Sequence, residues 1–151
     1  MGNSQQQLRV AQKHIEKNIG AIIRCSSLYQ TAAWGKTDQP DFLNQVIIVE
    51  TSLTAAETMQ AILSIEKKMG RLRTEKNAPR IIDIDILFFN DEIIDKPHLT
   101  IPHPEIHNRK FALIPMDEIA PGYMHPVLKS TIKNLLSTST DTLEVKLLDK
   151  S

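Results

Sequence analysis

The chain is poor in the residues that staple, stack or bias a fold. Its 151 residues include one cysteine, Cys25, which excludes an internal disulfide framework and any Cys-rich zinc site. Aromatics are scarce, with one Trp, two Tyr and four Phe, so each needs a reason. Five glycines and eight prolines are too few for a low-complexity or collagen-like chain. Neither sign of charge is in excess: 18 basic and 18 acidic side chains give a net charge of zero. That argues against a generic nucleic-acid binder, which needs a basic surplus. No apolar run approaches the roughly 18 residues of a membrane span, and the opening MGNSQQQLRV lacks the basic-then-apolar order of a secretory signal. What is present is ordinary for a globular chain, 41% hydrophobic and 24% charged. A chain this long buries about two thirds of its unfolded surface and needs no staple. A single domain over 1–151 is expected, and one cysteine is compatible with a reducing cytosol.

Hydrophobic periodicity orders the chain. Leu8, Ala11, Ile15 and Ile19 recur at helical spacing over Ser4–Asn18, with Ser4 and Gln7 as a capping box and Gly20 as a left-handed stop. Ala21–Thr31 reads as a strand, and residues 32–41 as a loop long enough to suggest a functional role. Phe42–Thr51 is the next strand, whose Val46–Val49 run suggests burial on both faces. Thr54 and Glu57 form a second capping box, opening a helix to Met69 with Met59, Ile62, Leu63 and Met69 on its stripe. Ile81–Phe89 reads as a strand, turning at Asn90-Asp91 into a partner at Glu92–Asp95. A Pro-punctuated loop over 97–104, a short helix Phe111–Ile119, a helix Leu128–Leu136 and a strand Leu143–Leu148 complete the chain. The order predicts an α+β fold of the ferredoxin-like sandwich type, helices packed on an antiparallel sheet.

The richest chemistry lies in Pro79-Arg80-Ile81-Ile82-Asp83-Ile84-Asp85-Ile86-Leu87. Side chains on a strand alternate between faces, so Ile82, Ile84 and Ile86 point one way. Asp83 and Asp85 point the other way, roughly 7 Å apart along the chain. Asp is a poor strand former. Two carboxylates on one face fit either a plain solvated surface or a site for Mg²⁺, which prefers carboxylates together with substrate phosphates. Just before them come Arg71, Arg73, Lys76 and Arg80. The planar guanidinium fork suits phosphate oxygens, though any one of these side chains could simply be solvated. Glu66 falls on the apolar stripe of its helix and is expected to pair with an Arg of the next loop. His103 stands between Pro102 and Pro104, either a phosphate donor or acid/base group or an ordinary loop residue. Phe42 and Phe111 fit either core or a ligand. No Gly-rich phosphate loop of the Walker type is present.

Taken together, Gly70-Arg71-Leu72-Arg73 and the Pro79–Leu87 stretch resemble the signature of the 6-hydroxymethyl-7,8-dihydropterin pyrophosphokinases, folate-pathway enzymes that move pyrophosphate from ATP to a pterin alcohol. Further pieces agree in order: Ser26–Thr31, Gln39–Asn44, Ile101-Pro102-His103, Asn108–Phe111 and Glu118–Pro121. The resemblance covers nearly the whole chain. It implies that Asp83 and Asp85 hold two Mg²⁺ ions bridging ATP and the pterin hydroxymethyl. It implies that Arg71, Arg73, Arg80, His103 and Arg109 lie at or near the triphosphate. Phe42 and Phe111 would stack on the two pterin faces, Asn44 would bond its edge, and the backbone of Thr31 and Trp34 would complete the rim. The substrates would be small molecules, ATP and the pterin, with neither nucleic acid nor membrane as partner.

The chain departs from the family pattern in three places. Thr74-Glu75-Lys76-Asn77-Ala78 stands where an aromatic is usual, and Ala32 where Pro is usual. Family members begin with a strand ending Gly-Ser-Asn, whereas this chain opens Met1-Gly2-Asn3. That strand is central in a ferredoxin-like sheet, so about ten further residues before Met1 are expected, alternating apolar and polar. A non-catalytic binding module of the same fold, for RNA or a small regulatory ligand, is the alternative from another class. An RNA reader would carry exposed sheet aromatics and a basic surplus, and this chain has carboxylates and no surplus.

Overall fold

Helix α1, Ser4–Asn18, packs against helix α2, Ala55–Gly70, through the apolar stripe each presents. A computed structural model describes residues 4–31, 42–70 and 82–148, which divide into two units. The first is drawn from Met1–Ile23 and Ile48–Ile86, the second from Arg24–Ile47 and Leu87–Ser151. In the first unit Ala11 and Ile15 of α1 are buried, as are Ala55, Thr58, Ile62, Ile65 and Met69 of α2. The α2 stripe therefore runs through Ile65, while Leu63, expected on it, is half exposed. Spacings of three and four residues keep one face toward α1. The second capping box is present: Thr54 N–H donates to Glu57 Oε1 at 2.9 Å and Glu57 N–H to Thr54 Oγ1 at 3.1 Å. The Ser4 side chain, and with it the first capping box, lies outside the described residues.

Gly20 is not a left-handed stop. It opens strand β1, Gly20–Cys25, where a Cβ would stand 2.0 Å from the Glu50 carbonyl oxygen. Only glycine admits that approach. Thr51 Oγ1 ties the same corner by donating to Ile19 O at 2.6 Å. The two long strands expected at 21–31 and 42–51 are each broken in two. After β1 comes β2, Tyr29–Thr31; β3, Phe42–Asn44, precedes β4, Ile47–Thr51. The break has a visible cause. Ser26 N–H bonds Val46 O, Ser26 Oγ accepts from Val46 N–H, and Gln45 Nε2 donates to Ser26 O. Side chains thus take over ladder positions at both interruptions. β1 neighbours β4 in one ribbon, and β3-β2-β7 form a three-stranded sheet. Its outer strand β7 is Val145–Leu147, antiparallel to β2. The run 46–49 is half-buried rather than buried on both faces.

Residues 82–89 were expected to be a strand paired with 92–95. They form no ladder among the described residues, and two of their backbone groups bond outside the expected hairpin. The Ile84 amide donates to a Glu66 carboxylate oxygen, and Leu87 O accepts from His103 N–H. The Asn90-Asp91 turn is present, but β5, Ile94–Lys96, pairs antiparallel with β6, Leu99–Ile101. Pro97-His98 is the tight turn between them, so part of the expected 97–104 loop is strand.

The second unit is built round helix α3, Lys110–Ile119, and helix α4, Ile132–Thr138. Ile106, Ala112, Leu113, Met116, Ile132 and Leu135 are buried together, flanked by Val46, Leu87, Phe88 and Tyr123. Thr131 caps α4 by accepting from Asn134 N–H at 3.2 Å. The helix therefore starts four residues later than Leu128. The whole is α+β, as the order of elements predicts.

Candidate functional site

Alternation survives in the acidic stretch without a ladder. Ile82, Ile84 and Ile86 are half-buried, while Asp83 and Asp85 are exposed. Glu66 supplies the anchor: its Oε2 accepts the Ile84 amide, the one between the two aspartates, at 2.7 Å. A charge-assisted bond of this kind is short and comparatively strong. The Arg partners expected for Glu66 lie outside the described residues, as do Arg71, Arg73 and Arg80 themselves. Among the described residues no group of three or more His, Cys, Asp or Glu is placed to hold a metal. Two exposed carboxylates suit a Mg²⁺ ion whose other ligands are phosphates and water.

In the second unit the three-stranded sheet gathers the expected pterin residues. Tyr29 pairs with Asn44 and Thr31 with Phe42, so the four side chains share a face. Asn44 Nδ2 donates to Thr31 Oγ1 at 3.2 Å, and Thr31 is buried. Phe42 is 55% exposed, which excludes it from the core. Trp34 lies outside the described residues. Helix α3 packs on β2, β3 and β7 and carries Phe111 in its first turn. Phe111 is half-buried beside the hydrophobic cluster, and the Arg109 guanidinium stands 5.7 Å from its ring centroid. That is cation–π distance.

Both ends of α3 are tied down. Lys110 N–H donates to Asp141 Oδ2 at 2.9 Å, and Asp141 Oδ1 takes Leu143 N–H at 3.0 Å. At the other end Arg24 Nη1 donates to Ile119 O at 2.8 Å. Glu118 accepts three bonds: Ser27 N–H at 2.9 Å and Tyr29 O–H at 2.7 Å on Oε1, and Ser27 O–H at 2.9 Å on Oε2. Burial and then the Glu118 carboxylate push the Tyr29 phenol up to about 12, with Asp117 adding to the effect. An open cleft of about 420 Å³ runs past the start of the helix, lined by Arg109, Phe111 and Asp141–Glu144 among others.

His103 is half-buried, and its Nδ1 accepts Glu105 N–H at 3.1 Å. The neutral ring then carries its proton on Nε2. Sequence reasoning gave no role to Glu118, Ser27, Tyr29 or Asp141. The first three fall in the family-like pieces Ser26–Thr31 and Glu118–Pro121, and Asp141 shows an Asx-type pattern. The Glu118 bonds span 89 and 91 residues, for which no spacing rule exists.

The profile of the 7,8-dihydro-6-hydroxymethylpterin-pyrophosphokinases matches residues 1–121. The chain belongs to this pyrophosphokinase family. It is similar to the 2-amino-4-hydroxy-6-hydroxymethyldihydropteridine pyrophosphokinase of Synechocystis sp., 42% identical over 115 residues, or 76% of this chain and 58% of the relative. The Aquifex aeolicus enzyme of the same name is 39% identical over 119 residues, 79% of this chain and 74% of the relative. The chain thus spans somewhat over half the length of the first and about three quarters of the second. Among solved structures, a Plasmodium falciparum HPPK-DHPS triple mutant superposes with a TM-score of 0.74. It is 21% identical, covering 89% of this chain and 40% of that one, and shows the fold alone, a ferredoxin-like α+β sandwich. No helix among the described residues is long and apolar enough to cross a membrane.

Proposed function

We propose that the chain transfers pyrophosphate from ATP to 6-hydroxymethyl-7,8-dihydropterin. Membership of the pyrophosphokinase family over residues 1–121 is the observation that carries this reading. The exposed Asp83 and Asp85, set opposite half-buried isoleucines, support it at the level of chemistry. In the reaction the pterin hydroxymethyl oxygen attacks the β-phosphorus of ATP in line. The bond from that phosphorus to the oxygen bridging the α-phosphate breaks, AMP leaves, and the attacking hydroxyl loses its proton. Asp83 and Asp85 would hold two Mg²⁺ ions, whose charge would offset that of the phosphate oxygens and ease loss of the hydroxyl proton.

The chain's own residues then bind and orient. Glu66, through the Ile84 amide, fixes the backbone between the two aspartates. Phe42 and Phe111 stack on the pterin faces, a gain from ring contact. Asn44 reads the donor–acceptor edge with its amide, beside the backbone of Thr31 and Trp34. Arg109 and His103 carry donors for phosphate, with Arg71, Arg73 and Arg80 completing the cationic lining as the resemblance implies. Holding two reactants in register is itself a large part of such catalysis. A monomer in the cytoplasm with no nucleic-acid partner belongs to the same reading. Mass spectrometry of a mixture with ATP, Mg²⁺ and the pterin tests it: AMP and a pterin heavier by two phosphates are expected. ADP formation, or no turnover, overturns it.

A further inference from the structure

We propose that Glu118 is the positioning residue of the pterin face, clamping helix α3 to strand β2 so that Phe111 and the Thr31–Asn44 pair are held in register. The proposal rests on the reading that Phe111 and Asn44 bind the pterin. A carboxylate is out of place where Glu118 stands. It lies in the last turn of α3, at the negative end of the helix dipole, with Asp117 beside it and no basic residue in that turn. Helix stability would favour a cation there. The carboxylate instead looks across to the strand, and both its oxygens are engaged by Ser27 and Tyr29.

The geometry makes these bonds a lever on the site. Phe111 and Glu118 are seven residues apart on one helix, two turns or about 10 Å along the axis, and so share a face. Tyr29 is the cross-strand partner of Asn44, and Asn44 bonds Thr31 two residues further along β2. The helix bearing the stacking ring and the strand pair bearing the amide are thus joined through one side chain. Asp141 holds the first turn of the same helix at Lys110 N–H, and its segment leads into β7, which pairs with β2. Without Glu118 the C-terminal half of α3 keeps the Arg24–Ile119 bond and the packing of the buried Met116 and Ile119, but no bond to the Ser27–Tyr29 segment among those described above. Displacement of a positioning group by about 1 Å can cost 100-fold.

The test uses the full chain, with pterin and ATP·Mg²⁺ affinities measured separately for the parent, Glu118→Ala and Glu118→Gln, and with melting curves for each. Glu118→Ala is expected to weaken pterin binding about 10- to 100-fold while leaving ATP·Mg²⁺ affinity unmoved. Glu118→Gln keeps an acceptor oxygen for Ser27 N–H and Tyr29 O–H and can meet the Ser27 hydroxyl with its amide. It should restore pterin affinity to within a few-fold of the parent. An alkaline absorbance titration gives an independent signature: Tyr29 should ionise closer to the ordinary tyrosine value in Glu118→Ala than its value of about 12 in the parent. Pterin affinity unchanged in Glu118→Ala, or pterin and nucleotide affinity falling together in both variants, overturns the proposal. Should Glu118→Ala fail to fold, Tyr29→Phe removes one donor alone, and parent-like pterin affinity in it counts against the clamp. A parent that binds ATP·Mg²⁺ but no pterin overturns the functional reading and the clamp with it.

Discussion

Residues 82–86 and the β3-β2-β7 face are both short extended segments bearing the side chains proposed to meet substrate. They are held in different ways. The acidic stretch has no ladder among the described residues, and its backbone is pinned between the aspartates by Glu66. The sheet face has a ladder on both sides of β2, a side-chain bond from Asn44 to Thr31 and a helix tied at both ends. The difference follows from what each is proposed to bind. Carboxylates for a metal need exposure and repel each other until a cation arrives. A flat ring held between two aromatic faces, as proposed, gains from groups already fixed in place, and the ladder and the ties of the helix would supply that.

The largest break in this comparison should come at the aspartates. Asp83→Ala or Asp85→Ala is expected to lower turnover by at least about 100-fold, the scale of losing a principal electrostatic stabiliser. Asp85→Ala should nevertheless melt at or above the parent temperature without Mg²⁺, since one of two like charges on a face is gone. Steady-state assay and thermal melts with and without Mg²⁺ check both halves, and undiminished turnover would remove the metal role.

Smaller and opposite in kind is the effect on the sheet face. Phe42→Ala and Phe111→Ala should weaken pterin binding by about 1–3 kcal/mol each, by analogy with base stacking, while ATP affinity holds. The two should separate in stability. Phe42 is 55% exposed and should cost almost nothing in melting temperature, whereas Phe111 packs on the core cluster and should cost more. Equal loss of both ligands in titration calorimetry would make the rings structural.

Glu66→Ala should sharpen the contrast from the other side. It leaves the Ile84 amide without its acceptor, at about 1–3 kcal/mol if the amide stays dry. Urea denaturation reads the loss, and turnover should fall further than stability alone explains. An unchanged midpoint would mean that the bond is dispensable.

The smallest effect is one of pH. His125 is buried, its Nδ1 accepting the amides of Val127 and Leu128 at 3.1 and 3.0 Å, with Phe88 edge-on to the ring. Burial and then the nearby His107 lower its pKa from 6.5, so the folded chain favours the neutral ring. The stability this contributes is present in full above pH 6.5 and is lost as pH falls through the lowered folded value. Denaturation midpoints between pH 7.5 and 5 should fall more steeply in the parent than in His125→Asn.

Much of the secondary structure was legible locally. The extent of α1 follows its apolar period, and the Thr54–Glu57 box and the Asn90-Asp91 turn join residues a few positions apart, which sequence spacing reports directly. The broken strands were not legible. Ser26 meets Val46 twenty residues away, and continuous β-formers conceal that a hydroxyl will interrupt them. Gly20 misled for the same reason: a glycine after a helix suggests a stop, but the Glu50 carbonyl that excludes a Cβ arrives from β4.

The amino-acid sequence alone determined the chemistry available: two carboxylates in alternation with isoleucines, a basic stretch before them, and a few aromatics among motifs of a recognisable family. Side-chain type and local period suffice for that, because they depend on neighbours along the chain. Only the tertiary structure decided where those groups stand and what they touch. It turned Phe42 outward and gave Glu66 the Ile84 amide. It also placed Glu118 against Ser27 and Tyr29. Those are contacts between distant segments, fixed by packing and hydrogen-bond satisfaction, and no local spacing encodes them.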